Sequence, residues 1–207
     1  MEESKKVKEA CDAQLHVSGA ILFLVVGNSG SGKDSLIRHV REHWPEGAPP
    51  LHVPKRVITR PPSPETENFQ SATEEEFERM RDAGQFALWW RSYGHWYGVR
   101  RELLDWMDAG EPALVNVSRQ IVGSTRERFG ERVKVAFVRV PLEVTLERVR
   151  SRGRETGDDL EERARRAAQL PDMEDADFVV DNTGPLEEAG EALLAWVLRE
   201  LDVQRRA

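Results

Sequence analysis

One octapeptide, Gly27-Asn28-Ser29-Gly30-Ser31-Gly32-Lys33-Asp34, constrains this chain more than any other stretch. It comes straight after the apolar run 20–26 and straight before Ser35-Leu36-Ile37-Arg38-His39-Val40, so the order reads strand, glycine loop, helix. That order is what a phosphate cradle requires. A buried strand delivers the chain, glycines let backbone N–H groups turn inward without Cβ clashes, and the open amides of the next helix attract an anion. Lys33 adds a mobile point charge for the β- and γ-phosphates of a nucleotide.

Gly27, Gly32 and Lys33 match the G-x-x-x-x-G-K half of the P-loop pattern, and a Gly/Ser linker would rarely carry a lysine at a helix start. The next position departs. The pattern expects Ser or Thr there, to place a hydroxyl on Mg²⁺, whereas this chain has Asp34, with the hydroxyl one residue later at Ser35. A carboxylate also serves a hard cation, directly or through its waters, so Asp34 and Ser35 are the expected metal ligands. Residues Gly27, Asn28, Ser29, Gly30, Ser31, Gly32, Lys33, Asp34 and Ser35 together form the expected ATP site.

The 207 residues suffice for one domain, and a net charge of −7 argues against a large nucleic-acid footprint. Cys11 is the single cysteine, so a disulfide framework is excluded and a reducing compartment is expected. Met1-Glu2-Glu3-Ser4-Lys5-Lys6 lacks the apolar core of a signal peptide, and no apolar run approaches the roughly 20 residues of a membrane span. The expectation is a cytoplasmic protein without membrane association.

Taken in order, residues 1–18 read as a charged, flexible extension and 19–207 as the folded domain. Helices are expected over 34–44, 73–82, 100–109, 118–129, 141–151, 158–170 and 185–201, the second opened by the capping box Thr73-Glu74-Glu75-Glu76 and ended by Ala83-Gly84. Strands are expected over 20–26, 51–59, 113–117, 133–140 and 177–180, with a small hairpin of 85–90 and 96–99 about Tyr93-Gly94-His95. Alternation of strands and helices implies an α/β fold: a five-stranded, mainly parallel sheet with helices on both faces. His39-Val40-Arg41-Glu42-His43 matches a zinc pattern, but a five-residue pattern is easily met by chance and the first turns of its helix are already committed to phosphate, so a metal site is not expected there. Trp89, Trp90, Trp96 and Trp106 are read as packing of the hairpin and its helices rather than as a base-stacking surface.

Arginine is placed for phosphate. Arg56 and Arg60 leave the second strand on the carboxyl edge of the sheet, where open α/β proteins bind ligands. Arg152 and Arg154 flank Gly153 between two helices, with Arg163 beyond, as in a lid that closes over charge. Phosphoryl transfer needs alignment and charge neutralisation more than covalent chemistry. With many arginines and no obvious catalytic Asp or His, the chain points to a kinase whose acceptor is itself a phosphate, already ionised and in need of no general base.

The same motifs resemble the guanylate kinases over about residues 20–201: the P-loop, Thr59-Arg60 with Pro62, Glu75-Glu76-Phe77, Trp96-Tyr97-Gly98, Arg152-Gly153-Arg154 with Arg163, and Asp181-Asn182. The guanine-reading residues are absent. By position the base-receiving acid falls on Leu88, the second phosphate-binding arginine on Ser63, and the two central-strand aspartates on Asn116 and Ser118. A guanine pocket without its carboxylates leaves base donors unpaired, at roughly 1–3 kcal/mol each.

The chain is still more similar to the ribose 1,5-bisphosphate phosphokinases of phosphonate catabolism, through Gly30-Ser31-Gly32-Lys33-Asp34-Ser35-Leu36, Arg56-Val57-Ile58-Thr59-Arg60 with Glu67-Asn68, Tyr97-Gly98-Val99, Leu114-Val115-Asn116 with Ser118-Arg119, and Arg152-Gly153-Arg154-Glu155. That resemblance implies a P-loop NTPase fold with a small acceptor-binding insertion at about 60–100 and an arginine lid at about 151–170. It implies transfer of the ATP γ-phosphoryl group to the 1-phosphate of ribose 1,5-bisphosphate, giving 5-phosphoribosyl 1-diphosphate and ADP, with Mg²⁺. Lys33, Arg152 and Arg154 would be catalytic; Arg56, Arg60, Tyr97 and Arg119 would hold the sugar bisphosphate. Homodimerisation is left open. The alternatives are a guanylate or other nucleoside monophosphate kinase, or a silent binding domain of the same fold, which would be expected to have lost Lys33 and the loop glycines.

Overall fold

The computed structural model describes residues 20–61, 69–141, 143–145, 147 and 173–206, the side chains of 203–206 excepted. Its centre is a parallel sheet of four strands in the order β6-β1-β7-β8: β1 (Leu22–Gly27), β6 (Ala113–Asn116), β7 (Val133–Arg139) and β8 (Phe178–Asp181). A central parallel strand is covered on both faces, which is why 20–26 is apolar without alternation. Leu22, Leu24 and Val26 join one buried cluster, while Ile21, Phe23 and Val25 join the other.

The second cluster is roofed by α1 (Lys33–Glu42) and the C-terminal helix α5 (Leu186–Arg206). Leu36, Ile37 and Val40 of α1 meet Ala189, Leu193, Trp196 and Val197 of α5 there. Trp196 is its largest member, 1% exposed, edge-on to Phe23 at 5.3 Å and stacked on Phe178 at 5.2 Å. On the opposite face lie α3 (Glu102–Asp108), a 3₁₀ turn (Arg119–Ile121) running into α4 (Val122–Phe129), and a second sheet. Arg126 ties α4 to the entry of β8 through Asp175 Oδ2 at 2.8 Å and Asp177 Oδ2 at 2.9 Å.

That second sheet has the order β3-β2-β5-β4, from β2 (Arg56–Ile58), β3 (Phe69–Ser71), β4 (Phe86–Ser92) and β5 (His95–Arg100). The hairpin β4–β5 turns at Tyr93 and Gly94, with φ of 48° and 76°. Two successive left-handed residues match the right-handed twist of the strands. Leu88, Trp90, Tyr97, Val99, Arg56 and Ile58 are cross-strand partners and share the face that packs toward the parallel sheet. The other face is closed by α2 (Glu74–Asp82), whose Phe77 stacks on Phe86 at 4.5 Å and Trp96 at 5.9 Å. Its N-terminus carries the expected capping box, Thr73 Oγ1 accepting from Glu76 N and Glu76 Oε2 accepting from Thr73 N.

One expected strand is corrected. The stretch 51–59 does not form a fifth strand of the parallel sheet: His52 makes a single parallel bridge with Ala113, and Arg56–Ile58 pairs in the other sheet. Pro54 lies between and is buried. It has no N–H to give a ladder, so pairing stops there and the chain crosses from one sheet to the other. His52 instead stacks on Trp106 at 4.3 Å and meets Glu111. Strand β3 is an addition to the expected elements. The four tryptophans divide between core and surface: Trp90 is buried, Trp96 and Trp106 are half-buried, and Trp89 is exposed beside Arg81. Among the described residues no helix is long and apolar enough to cross a membrane.

Candidate active site

The octapeptide caps the carboxyl end of β1 and opens α1. Gly30 and Gly32 hold φ of 84° and 90°, a left-handed backbone that L side chains avoid. At Gly32 there is a second reason for glycine, because a Cβ would overlap Asn182 Nδ2, which donates to Ser31 O at 2.7 Å. Asn182 is 2% exposed and follows β8 directly, so the sheet itself buttresses the loop from below. Gly32 is also the N-cap of α1, and no side chain caps that end. The first-turn amides are thereby kept for an anion, where the helix dipole favours negative charge.

Lys33 Nζ donates to Gly27 O and Asn28 O, both at 2.8 Å. Its ammonium is thus folded over the mouth of the loop. Asp34, exposed in the first turn of α1, accepts at Oδ1 from Arg56 Nη2 at 3.0 Å and from Asn116 Nδ2 at 2.8 Å. Arg119 donates from Nη2 to Asn28 Oδ1 at 3.2 Å and lies over the Phe137 ring at 4.4 Å. Two of the four expected acceptor residues, Arg56 and Arg119, therefore touch the P-loop or its helix.

The other two stand on the second sheet. Tyr97 pairs with Ile58 across the strands and stacks on Trp90 at 5.4 Å. Arg60 follows β2, with its guanidinium over Phe69 at 4.9 Å. The backbone there is tied to the hairpin, Thr59 Oγ1 accepting from Trp96 N and Thr59 O lying 2.8 Å from His95 Nδ1. Arg152, Arg154, Arg163 and Ser63 lie outside the described residues.

Sequence reasoning meets Asn116 and Asn182 within family motifs but gives neither a role in the site. Both sit at carboxyl ends of parallel strands, on the edge where α/β sheets bind ligands, and that placement is the signal by which they could be found. Leu88, at the position of a base-receiving acid, is 7% exposed inside the core, and Ser118 caps the 3₁₀ turn at Gln120 N. His39 and His43 of the zinc-like pattern stack on each other at 4.1 Å. Among the described residues no group of three His, Cys, Asp or Glu is gathered to hold a metal ion. One carboxylate and one hydroxyl, at Asp34 and Ser35, suit a hard cation that brings its other ligands as phosphate oxygens and water.

Asp181, beside Asn182, is held below the ordinary carboxylate range. The cause is first the hydrogen bond from the Thr183 side chain, then that from the Thr183 amide at 3.0 Å, with Arg139 at 3.6 Å adding to both.

The guanylate kinase family model matches residues 20–199. The chain is 40% identical over 186 residues to a "Ribose 1,5-bisphosphate phosphokinase PhnN" of Thiobacillus denitrificans, covering 90% of this chain and 96% of that protein. It is 38% identical to the protein of the same name from Azotobacter vinelandii, over 85% of this chain and 94% of the other. Among solved structures, a guanylate kinase from Anaplasma phagocytophilum superposes with a TM-score of 0.66 at 20% identity, covering 88% of this chain and 86% of that one. The structural likeness speaks to fold alone.

Proposed function

The chain belongs to the ribose 1,5-bisphosphate phosphokinase family within the guanylate-kinase fold, and from that premise we propose that it transfers the γ-phosphoryl group of ATP to the 1-phosphate of ribose 1,5-bisphosphate. The observation that carries the reading is the pairing of Arg56 with Asp34 and of Arg119 with Asn28. These two guanidiniums stand against the donor loop, where a second polyanion must come to be phosphorylated. At the three positions where a guanylate kinase would carry acids to receive the base, 88, 116 and 118, this chain has Leu, Asn and Ser. GMP is disfavoured on the same ground.

In this reading an oxygen of the acceptor's 1-phosphate attacks the γ-phosphorus as the bond to the β,γ-bridging oxygen breaks, and the electron pair leaves with ADP. The attacking oxygen is already ionised near neutral pH, so no side chain has to remove a proton. The loop amides and Lys33 grip the donor, with the ammonium exchanging the Gly27 and Asn28 carbonyls for phosphate oxygens. Arg56, Arg119, Arg60 and Tyr97 receive the sugar bisphosphate. By family resemblance Arg152 and Arg154 bring further positive charge. Asp34 and Ser35 would hold Mg²⁺, which when bound neutralises charge on the β- and γ-phosphates.

The test is product identification. Incubation with ATP, Mg²⁺ and ribose 1,5-bisphosphate is expected to yield ADP and 5-phosphoribosyl 1-diphosphate in equal amounts by mass spectrometry. Faster ADP release with GMP than with the sugar bisphosphate would reject the reading.

A further inference from the structure

Asp34 is where this P-loop departs from its pattern, and the departure has partners on two other elements. Its Oδ1 accepts from Asn116 Nδ2 at 2.8 Å and from Arg56 Nη2 at 3.0 Å. Asp34 rides in the first turn of α1, Asn116 ends β6, and Arg56 begins β2. Asn116 is the anchored member: it is 7% exposed, and its backbone is in register with Val25 of the central strand.

The chemistry at position 116 is narrow. An apolar side chain would give Asp34 no donor, and a second carboxylate at this distance would repel the first. A neutral amide donates while leaving the Asp34 charge to Arg56. Arg56 is in turn only 12% exposed along its side chain. A guanidinium is a rigid planar fork, so holding one nitrogen sets the plane in which its other donors lie.

We propose that Asn116 is a positioning residue for the acceptor side of the reaction: by holding Asp34 it aligns Arg56, the arginine that receives the acceptor's phosphate, in register with the loop that grips the donor. The identity of Arg56's ligand rests on the kinase reading above; the alignment does not. Alignment is most of what a phosphoryl-transfer enzyme contributes, and small misplacements are costly. Loss of the amide should therefore be felt by the acceptor and spare the nucleotide.

Asn116→Leu keeps the volume and removes the donor. Its kcat/KM for ribose 1,5-bisphosphate is expected to fall about 10- to 100-fold, while the Kd for ATP without added metal, which reads the loop amides and Lys33 alone, moves by less than about 3-fold by calorimetry. In an Arg56→Ala background the same substitution should cost less than about 3-fold, because the group it serves is gone. Equal losses in both backgrounds, or a matching loss of ATP affinity, overturn the proposal.

A second measurement needs no substrate. In the unliganded protein the ¹⁵N relaxation of Arg56 Nε–Hε should report an ordered side chain, loosened both in Asn116→Leu and in Asp34→Asn, whose exposed site carries little risk to folding. An Arg56 that stays rigid in the variants overturns the proposal whatever the acceptor proves to be. If Arg56 loosens as expected yet the wild-type chain does not turn over the sugar bisphosphate, the acceptor assignment fails and the alignment stands.

Discussion

Replacing Gly32 by alanine tests the loop and its buttress together. Gly32 holds φ of 90°, and a left-handed conformation costs a non-glycine residue about 1–2 kcal/mol. The new Cβ would also overlap Asn182 Nδ2 and displace it from Ser31 O. Both groups are buried, so breaking that bond adds about 1–3 kcal/mol. The sum, about 2–5 kcal/mol, can be lost in two places. If the loop keeps its shape, the cost appears in global stability, where 1 kcal/mol lowers Tm by about 2–4 °C in a domain of this size. If the loop relaxes, the cost appears in nucleotide affinity, where about 2–5 kcal/mol corresponds to a roughly 30- to 5,000-fold weaker Kd. Differential scanning calorimetry and ATP titration on one preparation measure both. The double variant Gly32→Ala with Asn182→Ala should recover part of the loss, since it removes the overlap but leaves the backbone strain. A Gly32→Ala protein that melts within 2 °C of wild type and binds ATP within about 3-fold would refute the reasoning.

Other perturbations separate core, chemistry and surface charge. Lys33→Ala should abolish turnover while leaving the melting curve within a few degrees, since the Lys33 ammonium sits at the half-buried loop and donates to the carbonyls of Gly27 and Asn28 rather than packing in the core; a coupled ADP assay and a thermal scan decide it. Trp196→Ala removes a fully buried ring from between Phe23 and Phe178 and should cost about 3–5 kcal/mol in urea denaturation, a loss below 1 kcal/mol counting against the core described here. The folded Asp181 carboxyl lies below its unfolded value, so its stabilisation is present above the unfolded value and is lost as pH falls through the folded one. Asp181→Asn should therefore be less stable than wild type at neutral pH and indistinguishable from it in acid; because the carboxylate is exposed the difference is small, and a gap that widens in acid would reject the sign.

Much of the fold could be read along the chain because its determinants are local. The apolar run of β1, the glycines that accept positive φ, the Thr73 to Glu76 capping box and the Tyr93-Gly94 turn each act within a few residues, so composition and spacing announce them. The stretch 51–59 was legible as extended backbone but not as divided between two sheets. Extended chain on either side of Pro54 looks the same until strand partners are present, and the partners Ala113 and Val99 are more than 40 residues away in each case.

The site divides along the same line. A lysine and glycines at P-loop spacing are sufficient by themselves to specify a phosphate cradle, since the backbone they shape is itself the ligand-binding group. What Asp34 does in that cradle is settled by residues 22 and 82 positions away, Arg56 and Asn116, and what supports Gly32 is Asn182, 150 positions away. Side chains converge on one oxygen or one carbonyl only after helix, strand and second sheet have docked. Local chemistry named the donor site and set Arg56 at the sheet edge beside it, and packing decided that Arg56 and Asn116 would meet on Asp34.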